Sequence, residues 1–582
     1  MKEREITGAR VLLECLKRLG VKDVFGYPGG SVIPIYDEIY SFEGIKHYLS
    51  RHEQGAVHEA DGYARASGEV GVCIATSGPG ATNLVTGIMT AFMDSIPILA
   101  ITGQVNRAML GRDSFQETDI VNITLPITKS NYQILSIEEI PQIVKEAYHI
   151  AKSGRPGPVL IDFPRDIQLE KIEVERFEEL YSEEMDLSGY ERGYQENLSK
   201  LDEGIKLIEN SKKPLIISGA GVIHSKGAEE FREFVERLQI PVTSTLLGLG
   251  AYPGDKNLFL GMLGMHGTAA ANIATLEADL IIGMGFRFDD RITGNIEKFC
   301  PNAKIIHIDI DPSEIEKNKK VDIALVGDLK KVLTLLNEKR IELEDIREWR
   351  DRVEYLKRRY SLIVPDCKEG LTTQRVLREI DRVLKGEGVI ATDVGQHQMW
   401  SALHLTYRNP NSIISSGGGG TMGFGLPSAI GAQVACPDKK IISIVGDGGF
   451  QMNIQELILL KAYKLPVKVF IMNNSYLGMV RQWQELFHER RYSEVNLEIN
   501  PDFVKVAEAY GVKSVTLESE EDLEKIDEIL KSDEPILVNC IVKKEENVYP
   551  MIPAGKSVED MIGLRGVKAV SYTYLRAHET CA

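Results

Sequence analysis

The chain has 582 residues, of which 43% are hydrophobic and 26% charged, and its formal net charge is −17. This length predicts two to four domains, because one hydrophobic core rarely serves so long a chain. The acidic balance and the lack of a basic stripe argue against a nucleic-acid binder. An anionic substrate stays open, since a few local arginines can set the charge of a site.

Targeting signals and cysteine pairs are also missing from the sequence. No run of 18 apolar residues predicts a membrane span, and an amphipathic helix follows Thr7 with no signal or transit peptide before it. The seven cysteines form no CxxC pair, so they predict neither a zinc site nor a disulfide framework. They lie at positions 15, 73, 300, 367, 436, 540 and 581. We therefore expect a cytoplasmic protein with reduced thiols and no membrane partner.

Apolar runs alternate with helical patterns along most of the chain, which predicts an α/β fold of three doubly wound parallel-sheet domains. The segment after the first domain is acidic and lacks a clear period, and the one after the second is charged and helical. The expected divisions are a first domain at 1–170, a linker at 171–198, a second domain at 199–335, a helical linker at 336–370, a third domain at 371–545 and a C-terminal tail at 546–582. Residues 570–582 break the preceding pattern, and we interpret them as a frayed or non-native end.

The most informative motif is Gly446-Asp447-Gly448, followed later by Asn473-Asn474. An apolar β-type run precedes each half, and helical spacing lies between them, so the unit predicts a parallel βαβ. Asp447 and Asn474 would then offer two hard oxygens at one sheet edge, which suits Mg²⁺. The glycines would let a diphosphate approach the backbone at a helix N-terminus. GDG alone fits an ordinary turn; the two halves together favour a cofactor site.

Glu53 is the candidate acid–base residue, and its local sequence has two interpretations. Ser50-x-x-Glu53 fits a capping box, in which Glu53 would bind the backbone at a helix start. The spacing of GDG and NN resembles the thiamine diphosphate motif. If that cofactor binds here, a carboxyl group must instead hydrogen-bond its aminopyrimidine ring, and an apolar site would raise the proton affinity of that carboxyl group.

Two further patterns add weaker signals. Glycine turns follow two predicted strands, at 219–221 and 283–285, where a phosphate or nucleotide could approach. Trp483 lies just beyond the predicted magnesium site, and either core packing or a binding role explains an aromatic at that place. The first and third domains also share a strand, glycine turn, helix and strand, which favours a duplicated fold.

Taken together, these motifs resemble the acetohydroxyacid synthase (acetolactate synthase) large-subunit family, to about residue 565. Their combination and order, rather than any one of them, carry the resemblance. They are YPGG at 27–30, HEQGA at 52–56, TSGPGATN at 76–83, FQE at 115–117, SGRPGP at 153–158, GMHG at 264–267, RFDDR at 287–291 and QWQ at 482–484.

The resemblance implies pyrimidine-binding, FAD-binding and diphosphate-binding domains, in that order. It implies magnesium ligands at Asp447, Asn474 and the backbone carbonyl of Tyr476. For thiamine diphosphate it implies Glu53, Pro79, Asn83, Gly395, Gln396, His397, Gly420, Met422, Gly446, Asp447, Gly448, Gly449, Asn474, Tyr476, Gly478 and Met479. For FAD, which has no net redox role in this family, it implies Arg155, Gly219, Ala220, Gly221, Thr245, Leu246, Met265, His266, Gly285, Arg287, Asp289, Asp309 and Asp328.

The implied activity is the decarboxylation of pyruvate and transfer of its hydroxyethyl unit to a second pyruvate or to 2-ketobutyrate. The products, 2-acetolactate and 2-aceto-2-hydroxybutyrate, begin branched-chain amino-acid biosynthesis. The implied catalytic residues are Glu53, Gln116 and Gly30, and the implied substrate contacts are Arg291, Trp483, Phe115 and Met479. The resemblance further implies a homodimer or tetramer with interfacial active sites, and a separate small regulatory subunit.

Several alternatives stay open at this point. A pyruvate oxidase would use FAD as electron acceptor, and a catabolic acetolactate synthase would work without FAD, although Trp483 argues against the latter. A simple decarboxylase is disfavoured because the sequence has no His-His pair. A non-catalytic scaffold would lack Glu53, Asp447 or Asn474, and all three are present. Arg291 could also form only a surface ion pair with Asp289 or Asp290.

Overall fold

The computed structural model describes residues 4–187, 190, 195–365 and 370–564. Three separate six-stranded sheets, each flanked by helices, form the described chain. All strand pairs within them are parallel, as predicted. The segment 570–582, Cys367 and Cys581 lie outside the described residues. None of the described helices is long and apolar enough to cross a membrane.

The first sheet lies in the N-terminal domain, and its central strands are continuous apolar runs because helices cover both faces. Its strands are β2 (Asp23–Gly26), β3 (Lys46–Leu49), β4 (Gly71–Ala75), β5 (Ile98–Gln104), β6 (Ser130–Gln133) and β7 (Val159–Pro164). They are arranged in the order β3-β2-β4-β5-β7-β6. The helices are α1 (Gly8–Arg18), α2 (Ile33–Ser41), α3 (Glu53–Ser67), α4 (Pro79–Asn83), α5 (Val85–Asp94), α6 (Ile120–Thr124), α7 (Ile140–Lys152) and α8 (Arg165–Leu169). Helix α1 begins as predicted, with the Thr7 side chain accepting from the Arg10 amide.

The acidic segment 171–198, predicted to be a surface linker, begins with a strand and a helix. Strand β8 (Lys171–Glu173) pairs antiparallel with β1 (Glu5–Thr7), and α9 (Val174–Ser182) follows it. Phe177 and Leu180 of α9 are buried in the N-terminal core. Charged residues occupy most of the exposed positions of α9, so composition alone does not reveal that two apolar residues anchor this helix.

The second sheet has the order β11-β10-β9-β12-β13-β14. Its strands are β9 (Pro214–Ser218), β10 (Val242–Ser244), β11 (Phe259–Met262), β12 (Leu280–Met284), β13 (Lys304–Asp309) and β14 (Ile323–Val326). Its helices are α10 (Leu201–Glu209), α11 (Ala220–His224), α12 (Ala228–Leu238), α13 (Ala269–Glu277), α14 (Asp290–Thr293) and α15 (Leu329–Glu338). The strand order reverses between β9 and β12, where open α/β sheets bind ligands. The connector helix α16 (Arg347–Arg359) packs on this domain through Trp349, whose indole N–H donates to Pro214 O at 2.9 Å.

The third sheet repeats the strand order of the first, β16-β15-β17-β18-β20-β19, which supports the predicted duplication. Its strands are β15 (Val389–Thr392), β16 (Ile413–Ile414), β17 (Ile441–Gly446), β18 (Lys468–Asn473), β19 (Lys513–Leu517) and β20 (Ile536–Ile541). Its helices are α17 (Thr373–Leu384), α18 (Gln396–His404), α19 (Gly425–Ala435), α20 (Asp447–Phe450), α21 (Leu457–Ala462), α22 (Gly478–Phe487), α23 (Phe503–Ala509) and α24 (Lys525–Lys531). Short 3₁₀ helices occur at Gly30–Val32, Arg107–Met109, Leu125–Ile127, Ile137–Glu139, Leu246–Gly248, Pro312–Glu314, Gln451–Glu456, Glu521–Glu524 and Val558–Asp560.

The first and third domains of the chain pack closely through α3 and α19. A Cβ on Gly62 would lie 2.0 Å from Ser428 O, and one on Gly431 would lie 1.8 Å from Glu59 O. Only glycine allows backbones to approach so closely. The two domains are therefore held directly against each other.

Residues 546–564 of the predicted C-terminal tail pack against the second and third domains. Val548, Met551 and Met561 are buried. Glu546 O accepts from Gln396 Nε2 at 2.6 Å, and Ile552 N–H donates to Met265 O at 2.8 Å. This part of the tail therefore spans two domains beside the candidate site.

Candidate active site

Asp447 and Asn474 lie at the carboxyl ends of neighbouring strands. Strands β17 and β18 pair with Gly446 opposite Met472, so Asp447 at the start of α20 stands beside the residues that follow β18. Asp447 Oδ2 accepts from Asn500 Nδ2 at 2.8 Å, and burial raises the pKa of the Asp447 carboxyl to about 6. The predicted βαβ unit and its sheet edge are thus formed as expected.

The helix predicted inside this unit is interrupted, because α20 and α21 are separated by the 3₁₀ helix Gln451–Glu456. Asn453 has φ −133°, outside the helical range, and its side-chain amide donates to Gly423 O at 2.7 Å. The predicted helical spacing is thus realised in separate helical segments, because this tertiary hydrogen bond favours a kink.

A small cavity of about 70 Å³ lies against this edge. The predicted residues lining it are Gly395, Gln396, His397, Met422, Gly446, Asp447, Gly448, Gly449, Asn474, Tyr476, Gly478 and Met479. Burial lowers the pKa of His397 to about 4, so its ring is neutral, and its Nε2 has no partner within the described residues. An unpartnered buried nitrogen between glycine turns fits an anionic group such as a diphosphate.

A larger cavity of about 940 Å³ adjoins the small one and reaches all three domains. The predicted residues lining it are Arg155, Ala220, Gly221, Thr245, Leu246, Met265, His266, Gly285, Arg287, Asp289, Arg291, Asp309, Asp328, Gly395, Gly420, Met422, Met479 and Trp483. The remaining predicted glycine, Gly219, lies against Gly285, whose carbonyl oxygen would be 2.2 Å from an added Cβ. These turns follow β9 and β12 at the strand-order reversal, so the cavity fits an extended nucleotide-type cofactor such as FAD.

The carboxylates of this cavity have distinct local roles. Asp328 accepts from the Lys331 amide as the N-cap of α15, and Asp289 accepts from two amides at the start of α14. Burial raises the pKa of Asp309 to about 6. Arg155 donates to Glu314 at 2.7 Å and to Asp311 at 3.1 Å. Charged groups of the first and second domains thus line this cavity together.

Arg291 and Trp483 meet at one end of the larger cavity. The Arg291 guanidinium carbon lies 5.9 Å from the centroid of the Trp483 ring, and Arg291 Nη1 lies 3.4 Å from Met265 Sδ. The ion pair considered for Arg291 exists, with Asp290 at 3.5 Å, but both side chains are more than half exposed. Exposed pairs of this kind contribute little, so the guanidinium is available to an anion.

Glu53 occupies a different sheet edge, in the first domain. It begins α3, and its Oε2 accepts from Asn83 Nδ2 at 2.9 Å. The alternative capping box is wrong, because His52 is the N-cap and Ser50 Oγ instead donates to Glu59 at 2.6 Å. The Glu53 carboxyl is therefore not used in capping its own helix.

The remaining predicted residues lie in the first domain, away from both cavity walls. Pro79 begins α4, whose Gly80 would place a Cβ 3.1 Å from Glu53 Oε1. Gly30 follows β2, and Gln116, with φ +60°, packs its backbone on Gly78. Phe115 is 88% exposed. Within the described chain, the cavity walls do not include Glu53, Pro79, Asn83, Gly30, Gln116 or Phe115.

No local sequence pattern marks Asp94, which joins the first and third domains beside the cavity. Its carboxylate accepts from the amides of Gly417 at 2.9 Å and Gly418 at 2.7 Å, and from Arg65 at 2.9 Å. Asn500, the partner of Asp447, was missed in the same way. Such contacts join residues far apart in sequence, so no local pattern marks them.

The described residues contain no cluster of three or more His, Cys, Asp or Glu side chains able to hold a metal ion. The donor set at Asp447, with one carboxylate, the Asn474 amide and a nearby backbone carbonyl, is the kind that suits Mg²⁺ retaining water and phosphate ligands. Cys15, Cys73, Cys300, Cys436 and Cys540 are free thiols, which agrees with the predicted reduced state.

Three family models match successive parts of the chain. They are the thiamine pyrophosphate enzyme N-terminal TPP-binding domain at 6–123, the central domain at 201–336 and the C-terminal TPP-binding domain at 393–540. The central match contains the whole second sheet, and the other two contain most strands of the first and third sheets.

Curated relatives match nearly the full length. The acetolactate synthase large subunit of Lactococcus lactis is 48% identical over 562 residues, 97% of each chain. That of Cyanidium caldarium is 47% identical over 96% of this chain and 97% of its own. The probable acetolactate synthase large subunit of Methanocaldococcus jannaschii is 48% identical over 95% of both. The chain therefore belongs to the acetolactate synthase large-subunit family of thiamine pyrophosphate enzymes.

Proposed function

We propose that this chain is a catalytic subunit that decarboxylates pyruvate and joins its two-carbon unit to a second 2-keto acid. The proposal rests on the observation that the small and the larger cavity adjoin each other. The Asp447–Asn474 edge opens into a cavity whose other end presents Arg291 and Trp483. An anchor for a metal and diphosphate is thus joined to a cationic and aromatic acceptor pocket.

Mg²⁺ would be held by Asp447, Asn474 and the backbone carbonyl of Tyr476, beside the glycine turns that suit a diphosphate. When bound, thiamine diphosphate supplies an electron sink for loss of CO₂ from a 2-keto acid. FAD would fill the larger cavity against the 219–221 and 285 turns, without a net redox role. Two observations support these assignments. Nε2 of His397 has no hydrogen-bond partner among the described residues, and the larger cavity has a volume of about 940 Å³.

Glu53 would hold or release the proton that activates the aminopyrimidine ring. Because Glu53 and its neighbours lie outside both cavity walls of their own chain, we propose that they serve a second copy. Gly30 and Gln116 would then face the substrate in that copy. A homodimer with two interfacial sites is the smallest assembly that joins the two edges.

Arg291 would bind the carboxylate of the acceptor keto acid through two parallel hydrogen bonds. Trp483, with Phe115 and Met479, would form the apolar wall that receives the acceptor's alkyl group. Both 2-keto acids, pyruvate and 2-ketobutyrate, fit this pairing of cation and apolar wall. The expected products are 2-acetolactate and 2-aceto-2-hydroxybutyrate.

The direct test is to incubate the protein with thiamine diphosphate, Mg²⁺, FAD, pyruvate and 2-ketobutyrate and to identify the products. Formation of both acetohydroxy acids is expected. Consumption of oxygen or quinone without acetolactate would instead indicate a pyruvate oxidase. Acetolactate formation independent of FAD would indicate a catabolic synthase.

The interfacial arrangement has its own test. Glu53→Gln and Asp447→Asn chains would each be inactive alone, but random mixing by co-expression would yield heterodimers with one intact site. The mixture should recover about one quarter of the parent activity, since half the dimers are heterodimers and each has one of two sites. Recovery of none would place both residues in one chain's site.

We also propose a cytoplasmic location and a separate small regulatory subunit. The relatives' designation as large subunits supports a smaller companion chain. Co-purification of a tagged chain from its native cells, followed by mass spectrometry, tests for that companion.

A further inference from the structure

The loop that carries Glu53, between β3 and α3, is held by side chains of the third domain. Leu49 N–H donates to the Tyr463 hydroxyl at 2.8 Å. Arg51 N–H donates to both carboxylate oxygens of Glu456, at 3.1 and 3.0 Å. Two backbone groups just before Glu53 therefore depend on residues more than 400 positions away.

Glu456 also touches the first turn of α3 on the other side of Glu53. A Cβ on Gly55 would lie 2.4 Å from Glu456 Oε1, so only glycine leaves room for this carboxylate. Glu456 is fully buried. The Glu456 side chain thus contacts the chain on both sides of Glu53, at positions 51 and 55.

A second buried carboxyl group completes the arrangement. Glu59 of α3 faces Glu456, accepts from Ser50 Oγ at 2.6 Å and is itself fully buried. Burial raises the pKa of Glu456 to about 7, and burial together with Glu456 raises that of Glu59. Both carboxyl groups therefore take up a proton more readily than an ordinary glutamate does. Arg51 is the cationic side chain that acts on both carboxyl groups.

Glu456 and Tyr463 lie at the far end of the segment that begins with Asp447. This segment runs through α20, the 3₁₀ helix Gln451–Glu456 and α21, and Tyr463 is the C-cap of α21. The segment thus touches the metal-and-diphosphate edge at one end and the Glu53 loop at the other.

We propose that Glu456 and Tyr463 are positioning residues for Glu53, which set the carboxyl of one active site from the cofactor-binding segment of the same chain. This rests on the proposed function, in which Glu53 is the activating carboxyl. Neither residue lines the cavities formed by the described chain. Their influence on catalysis is exerted through the loop.

The first test uses the cofactor-free protein. Amide hydrogen exchange, followed by mass spectrometry on fragments covering residues 48–55, reports the Leu49 and Arg51 amides directly. Tyr463→Phe keeps the ring that packs on Tyr48, 4.8 Å between centroids, and removes only the hydroxyl. Exchange in this fragment should rise about tenfold, as expected for loss of one buried hydrogen bond. Glu456→Gln should act in the same direction.

The matched controls are Tyr252→Phe and Glu277→Gln in the second domain. Tyr252 Oη donates to Glu236 at 2.6 Å, and Glu277 pairs with Arg352 at 2.6 Å. Each control removes the same chemical group from a comparable contact away from Glu53. Neither should change exchange in the 48–55 fragment or the rate of acetolactate formation.

The second test separates positioning from simple stabilisation. In Tyr463→Phe and Glu456→Gln, kcat should fall about tenfold, while KM for pyruvate and the Kd for thiamine diphosphate stay within about twofold. A merely structural role would lower the unfolding midpoint and leave kcat per folded molecule unchanged, which would overturn the proposal. If Glu456→Gln does not fold, Tyr463→Phe alone decides.

Glu53→Gln distinguishes failure of this inference from failure of the proposed function. If Glu53→Gln stays fully active, the assignment of the activating carboxyl is wrong. If Glu53→Gln is inactive but both positioning variants match their controls in exchange and kcat, only the positioning role is wrong.

Discussion

The first and third sheets have the same strand order, yet the edges at the carboxyl ends of their strands carry different groups. We call these edges the first edge and the third edge. The third presents buried polar groups to a cavity, with Asp447 at 1% and His397 at 6% exposure. The first presents Glu53, which is itself only 9% exposed, together with open positions such as Phe115 at 88% exposure. The shared strand order therefore sets the sheet edge at which a site can form. The residues that follow each strand decide which half of the active site that edge supplies.

The difference also explains why one copy is insufficient in the proposed function. The third edge has a diphosphate-sized cavity but no acid–base group of the first edge on its wall. The first edge has the carboxyl, which is not on the wall of either cavity. Each edge supplies what the other lacks, which favours pairing across two chains.

The largest expected effect comes from removing the carboxyl of the first edge. Glu53→Gln should lower kcat for acetolactate formation by about 10²- to 10⁴-fold, the usual contribution of a positioned acid–base group. Binding of thiamine diphosphate, measured by calorimetry, should change far less. Equal losses in binding and kcat would contradict the division of labour between the edges.

Removing the carboxylate of the third edge should weaken the binding of thiamine diphosphate with Mg²⁺. Asp447→Asn removes the one carboxylate of the proposed metal site, and the affinity for thiamine diphosphate with Mg²⁺ should fall about 10- to 100-fold. Calorimetric titration measures it, with Asp202→Asn, at a surface ion pair with Lys339, as the control. Unchanged affinity would remove Asp447 from the metal site.

The preference for 2-ketobutyrate over pyruvate should depend on the third edge and the second domain rather than on the first edge. Trp483→Ala should lower the preference for 2-ketobutyrate over pyruvate by about tenfold, because one methylene contributes about 1–3 kcal/mol of selectivity. Product ratios under competition between the two acceptors give the measurement. A preserved ratio with reduced total rate would mean that Trp483 supports the fold instead.

The smallest effect concerns the pH dependence of stability where the two domains meet. The pKa of Glu59 in the folded state is raised above its ordinary 4.5 by burial, so its contribution to stability is present below that value and is lost as pH rises. Glu59→Gln imitates the protonated form. Its unfolding midpoint relative to the parent should therefore increase by about 2 °C between about pH 5.5 and pH 8. A difference that is flat with pH would argue against a raised pKa of Glu59 in the folded state.

Local sequence patterns predicted much of the fold. Apolar runs marked the central strands of all three sheets, and Thr7 marked a helix start correctly. Patterns failed where a distant contact decided the local conformation. Asn453 interrupts a helix by bonding Gly423, and Phe177 anchors a helix in an acidic stretch.

The sequence by itself determined the fold class, the family and the residues at the strand ends, because strand periodicity and glycine turns are local and their order is specific. Only the tertiary structure decided how those residues are grouped. It placed Asp447 with the cavity and Glu53 apart from it, and it joined Arg291 to Trp483. It also brought Asp94, Glu456 and Tyr463 to distant loops. Such groupings depend on how domains pack, and packing joins residues whose separation along the chain carries no pattern.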